Sequence, residues 1–233
     1  MAARSRSLVA REAFGPWRGP NERRRYPSDV AAPNESPYQR ALGVHLTQLH
    51  PVLQTYFATL PPRRVGVGEG VFDYFGTRRW WLRPLLALFA TGAVIIPGMH
   101  LNVPFRIENR TVGGRATAQR TLMLKDGTWA MRDSVSFAGP LSVVDALGVG
   151  PIVNVRFRVA VADGALELVS AGVRIQFGNM RLSVPSLLAP TIRLNERFDE
   201  TANVQRVDLT VEAPIIGRVY GYRGSFTYRI EDE

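Results

Sequence analysis

The chain has 233 residues and 45% apolar content, enough to build one large β-rich domain or two small ones. It has no cysteine, which excludes disulfides and thiolate metal sites, and its three histidines (His45, His50 and His100) form no close-spaced ligand pair. The net charge of +9 divides into +4 over residues 1–40 (eight Arg against four acids) and +5 over residues 41–233 (21 basic against 16 acidic).

All but one of the basic residues are Arg, the exception being Lys125. They are spread along alternating segments at polar positions. A nucleic-acid interface predicts basic residues gathered on one face with aromatics for stacking, so no nucleic-acid partner is expected. Attraction to anionic phospholipid would use the same charge, and peripheral membrane contact is the favoured electrostatic reading.

Residues 1–36 read as a disordered basic tail. Arg4, Arg6, Arg11, Arg18 and Arg23-Arg24-Arg25 sit among four prolines with no apolar periodicity. No apolar core of a secretory signal follows the arginines, so a cytoplasmic location is expected. Residues 37–233 are expected to form a single α+β domain.

From Tyr38 to Leu60 the period is helical: Leu42, Leu46, Leu49, Leu53, Phe57 and Leu60 fall at three- and four-residue steps. Pro51 cannot continue a helix without losing a hydrogen bond, so two short helices are predicted, with Pro51 in the first turn of the second. His50 lies at their junction, as a functional residue or as a cap that packs the corner.

Arg63 to Gly76 reads as a glycine-rich strand. Gly66, Gly68 and Gly70 spell G-x-G-x-G, which departs from the dinucleotide fingerprint and lacks its strand–turn–helix context. Glycines here fit a bulge or a close backbone approach. Glu69, an acid between two of them, is a candidate site residue.

Trp80 to Met99 is the most apolar stretch. Leu85 to Ile96 is too short for the roughly 20 residues of a spanning helix, and Pro84 and Pro97-Gly98 bound it. A helix packed into or across the sheet is predicted. The alternative is an interfacial segment or lid, with Trp80, Trp81, Arg78, Arg79 and Arg83 at a headgroup boundary.

A meander follows. Val103, Phe105 and Ile107 alternate with polar residues, and two-residue turns are predicted at Gly113-Gly114, Asp126-Gly127 and Asp163-Gly164. The last separates Val153–Val161, apolar at every odd position, from a run ending in Val173, Ile175 and Phe177. Gly139–Gly150 reads as an excursion between strands, and residues 184–190 as a proline-bounded connection. Thr191–Phe198, Val204–Val211 and Val219–Ile230 complete the strands. The predicted fold is a large curved antiparallel β-meander of about eight to ten strands, half-barrel-like, with helices from 38–60 and 80–98 packed on one face.

The ordered set Leu49-His50-Pro51, Gly66–Gly70, Trp80–Pro97, Pro104-Phe105, Gly139-Pro140-Leu141, Asp163-Gly164-Ala165-Leu166 and Ala213–Gly224 resembles a bacterial domain family of unknown function. That family often occurs C-terminal to saccharopine-dehydrogenase-like, NAD-binding reductases. The resemblance covers residues 37–226 and implies no established reaction and no agreed catalytic residues. This chain lacks a Rossmann domain, so the resemblance implies a separate reductase as a partner.

Ser134, Ser136 and Ser142 have no histidine nearby in sequence and stand in no nucleophile elbow. Asp133 and Asp145 are acid/base candidates, with turn and cap roles as the alternative. No cofactor, no metal and no catalytic residue are expected. Two functions compete. In one, the space between sheet and helices binds a lipid or other apolar ligand, with Glu69, Arg120, Arg174, His50 and Trp81 as the candidate binding residues. In the other, the domain has a filled core and docks a reductase or a second copy of itself.

Overall fold

The computed structural model describes residues 35–90, 94–148, 153–177 and 180–233. The predicted basic tail lies, through residue 34, outside the described residues.

The described residues form eleven strands: β1 (Arg64–Gly76), β2 (Met99–Val112), β3 (Arg115–Leu124), β4 (Gly127–Gly139), β5 (Ser142–Leu147), β6 (Val153–Ala162), β7 (Ala165–Phe177), β8 (Met180–Ser183), β9 (Thr191–Asp199), β10 (Val204–Ala213) and β11 (Gly217–Asp232). Each of β1 to β7 pairs antiparallel with its successor. The first part of β7 pairs with β9 (Leu166↔Glu196 to Val169↔Arg193) and its end pairs with β8. β9, β10 and β11 continue the ladder, and β11 returns to β1 with Gly68 opposite Tyr228.

The half-barrel is therefore corrected: ten strands close into an antiparallel barrel, with β8 a short addition outside the ring. Closure rests on a close approach at the seam. Side chains added at Gly66 and Gly70 would collide, the first with the Tyr228 ring end and the second with the Ser225 carbonyl and Phe226. The glycine-rich pattern of β1 is what lets β11 lie against it.

The two-residue turns predicted at Gly113-Gly114 and Asp163-Gly164 are present, with positive φ at both residues of each. Gly139–Gly150, read as an excursion, contains β5 instead: Val143, Asp145 and Leu147 alternate inward. The 184–190 connection holds a single turn, in which the Leu188 and Ala189 N–H groups donate to the Pro185 carbonyl.

The α+β class is corrected as well: the described residues are mainly β, and their helical structure is limited to short pieces that do not share one face. α1 (Pro37–Leu42) and α2 (Pro51–Tyr56), joined by a 3-10 segment over Gly43–Gln48, cover one end of the barrel. The Leu141 N–H donates to the Ala41 carbonyl and the His50 N–H to the Gly164 carbonyl, tying this plug to the β4–β5 and β6–β7 turns. Ser36 caps α1 in a reciprocal capping box with Gln39, and its Oγ also donates to the Phe57 carbonyl at 2.5 Å. Pro51 begins α2, as its missing N–H dictates.

The second piece bridges β1 to β2 at the opposite end. It holds a 3-10 turn at Trp80–Leu82 and α3 (Arg83–Ala90). The helix predicted to continue to Pro97 does not: Val94 and Ile96 are buried in irregular backbone, with the Ile96 N–H donating to Tyr220 Oη at 3.2 Å.

Aromatic rings fill one side of the interior. Phe72 stacks on Phe105 at 3.9 Å and Phe75 on Tyr222 at 5.2 Å, with Phe226 edge-on to Phe105. An eight-stranded barrel is just wide enough for side chains to fill, and ten strands enclose more space than these rings occupy.

Candidate binding cavity

The space left inside is a cavity of about 510 Å³. Its walls are mainly apolar, from Val155 and Phe157 on β6, Leu168 and Val173 on β7, and Leu194 and Leu209 on β9 and β10. Leu82, Leu86, Val94 and Ile216 close the α3 end, where Ile216 both lines the cavity and is 37% exposed.

The plug end is different in kind. Arg120 on β3, Asp133 on β4 and Asp145 on β5 occupy inward positions. Registers explain their grouping: Arg120 lies opposite Met131 and Asp133 opposite Leu147, so each charged residue is the diagonal neighbour of the next. Diagonal pairs of this sort lie within reach of long side chains. The Arg120 guanidinium donates through Nη1 to Asp133 Oδ1.

Glu196 faces them from β9. Gln205 Nε2 on β10 donates to Glu196 Oε2 at 2.7 Å, and both residues are buried. Tyr38 and Tyr56 from the plug and Tyr222 from β11 complete the lining. Asp145 Oδ1 is enclosed and has no hydrogen-bond partner among the described residues.

Burial sets the charge states. It opposes ionisation of Arg120, but Asp133 beside it outweighs that and holds the guanidinium well above its usual range. Asp145 is pushed up to about 8, first by burial and then by the Asp133 charge, against the pull of Arg120. Burial likewise pushes Glu196 up to about 7, with Arg120 and the Gln205 hydrogen bond opposing it. Burial first, and the neighbouring carboxylates second, hold Tyr38 well above the usual phenol range. Among the described residues no group of three His, Cys, Asp or Glu side chains is placed to hold a metal ion.

Comparison with known proteins fixes the family. Residues 49–226 match the family described as "Domain of unknown function (DUF4166)". The chain belongs to this family. It is also similar to the uncharacterized protein YndH of Bacillus subtilis, 25% identical over 199 residues that cover 81% of this chain and 95% of that protein. No solved structure matches. The family assignment agrees with the resemblance drawn from the sequence motifs, and it carries no link to a reductase.

Of the five residues chosen from the sequence, only Arg120 enters the cavity. Glu69 is on the outer wall, in ion pairs with Arg106 at 2.5 Å and Arg229 at 3.1 Å. Arg174 falls between Val173 and Ile175, whose side chains line the cavity, and so points to the opposite face. His50 caps α2, its Nδ1 accepting from the Val52 N–H, while Nε2 lies 2.8 Å from Glu200 and the ring stacks on Phe198. Trp81 is half-exposed at the α3 end, with the Arg79 guanidinium 5.9 Å from its ring.

Asp133 and Asp145, weighed as acid/base candidates against turn and cap roles, stand in strands with their side chains in the cavity lining and not in turns or caps. Glu196, Gln205, Tyr38, Tyr56 and Tyr222 were not singled out at all. The missed signal is phase: Asp145 and Glu196 each stand where a strand's alternation calls for an inward side chain.

A second, polar depression lies on the outer wall of β9 and β10. Its Arg206 and Arg223 are engaged by Asp199 and Asp208. Among the described residues no helix is long and apolar enough to cross a membrane.

Proposed function

We propose that this domain binds an amphiphilic small molecule inside its barrel, with no chemistry of its own. The observation that carries the reading is the cavity of about 510 Å³, apolar along its length and polar at the plug end. Ligand sites typically have volumes of roughly 300–1,000 Å³, apolar walls and a few convergent polar groups. The competing role, docking a reductase or a second copy through a domain with a filled core, is less well supported because the core is hollow.

A catalytic reading has less to rest on. Among the described residues the close pairs at the plug end are Arg120 with Asp133 and Gln205 with Glu196, and neither sets a nucleophile beside a base. Peripheral membrane contact fits the exposed Trp80, Leu187, Leu188 and Ile215, as a route by which an amphiphile reaches the cavity.

The test is native mass spectrometry of the purified full chain, followed by organic extraction. A co-purifying amphiphile, released on extraction and lost when Leu168 is replaced by Trp to fill the cavity, is the expected result. An extract without any such molecule, together with failure of decanol to bind the stripped protein, overturns the reading.

A further inference from the structure

The polar end of the cavity has an unbalanced composition. Three carboxyl groups, Asp133, Asp145 and Glu196, face the Arg120 guanidinium, which is already engaged by Asp133, and the other arginine of the lining, Arg110, is taken by Glu108 and Glu233. Glu196 has one amide donor in Gln205. Asp145 lines the cavity, is shielded from bulk solvent, and keeps Oδ1 without any donor among the described residues.

A buried acceptor left unpaired costs free energy comparable to a lost hydrogen bond, and a complementary ligand group removes that cost. An anionic head would meet three carboxyls, with both arginines of the lining already taken. A hydroxyl would satisfy Asp145 but leave the excess of acids over bases as it was. A protonated amine supplies both a donor and, as one of these acids ionises, the positive charge that balances it. The rings of Tyr38, Tyr56 and Tyr222 around the same space add aromatic faces, which favour ammonium groups over anions.

We infer that the ligand is a long-chain amine, bound with its ammonium against Asp145 and Glu196 and its hydrocarbon chain along β6, β7 and β9 towards α3. The inference rests on the reading of the cavity as an amphiphile site and adds the chemistry of the head group. Near neutral pH the free cavity holds Asp145 mostly, and Glu196 partly, in the protonated form, so binding an ammonium against Asp145 ionises it and releases a proton.

The experiment is isothermal titration calorimetry of the full chain at neutral pH with decylamine, decanol and decanoate, each below its micellar concentration and in buffers of different ionisation enthalpy. Decylamine is expected to bind about tenfold or more tighter than decanol, as a charge-assisted hydrogen bond implies, and decanoate weakest of the three. Proton release should accompany decylamine alone. Asp145→Asn should lower decylamine affinity towards that of decanol and change decanol binding far less, because the amide carbonyl can still accept from a hydroxyl but carries no charge for an ammonium. Glu196→Gln, checked for folding by circular dichroism, serves the same purpose where Asp145→Asn does not fold.

Binding of decanol with no preference for decylamine, or a preference for decanoate, overturns the amine assignment and leaves the cavity reading intact. Binding of none of the three overturns both.

Discussion

Arg120 and Asp133 meet inside the barrel from diagonal positions on adjacent strands, a guanidinium and a carboxylate paired across the β3–β4 ladder with the cavity on one side. Their attraction offsets two desolvation costs that neither residue could bear alone.

Removing one partner should therefore cost more than removing both. Arg120→Met is expected to destabilise the fold by about 3–5 kcal/mol, because it leaves Asp133 as an uncompensated buried acid. The double variant Arg120→Met with Asp133→Leu should recover most of that loss. Urea unfolding of the two variants checks the order, and a double variant less stable than the single one refutes the pairing.

Asp145 and Glu196 give stability a definite pH dependence. Their folded values, about 8 and about 7, lie above ordinary carboxyl values, so the native state binds more protons than the unfolded chain across the interval between. This contribution is fully present below the unfolded values near pH 4 and is lost as pH rises through 7 and 8. The denaturation midpoint should fall between pH 5 and pH 9, and the fall should be shallower in Asp145→Asn. A flat profile over that interval rules out two buried, proton-holding carboxyls.

At the seam, Gly70→Ala and Gly66→Ala should differ. The first drives a methyl into the Ser225 carbonyl, which the ladder holds in place, and should cost about 1–3 kcal/mol or more. The second meets the end of the Tyr228 side chain, which can swing aside, and should cost less. Thermal melts of the two variants measure the difference.

His50→Ala removes the cap of α2 and should cost about 0.5–2 kcal/mol without altering ligand binding. A selective loss of decanol or decylamine affinity would mean that His50 belongs to the site after all.

The local pairings were legible in the sequence and the closure was not. Asp163-Gly164 announces a turn because both of its residues need positive φ, and Pro51 announces a helix start because it lacks an N–H. Nothing local announces that Gly68 will lie opposite Tyr228, since that pairing depends on how ten strands curl together. The same limit hid the site. Arg120, Asp145 and Glu196 sit on three strands, and only the ring places them around one space. Glu69 misled because an acid among glycines looked solitary, whereas Arg106 and Arg229 reach it from the neighbouring strands. The helical stripe from Leu42 to Leu60 was read as covering a sheet face, because amphipathicity shows that a helix is covered and not by which part of a barrel.

The seam between β1 and β11 also sets an order of events during synthesis. The first strand of the ring waits for the last, some 150 residues later, before its hydrogen-bonding edge is satisfied. Until then the growing chain is an open sheet whose exposed edge can recruit other chains. Long-range pairing of this kind folds slowly. Glu69 and Arg106 put charge on the outer face beside that edge as gatekeepers, and Arg229 joins them only when β11 arrives.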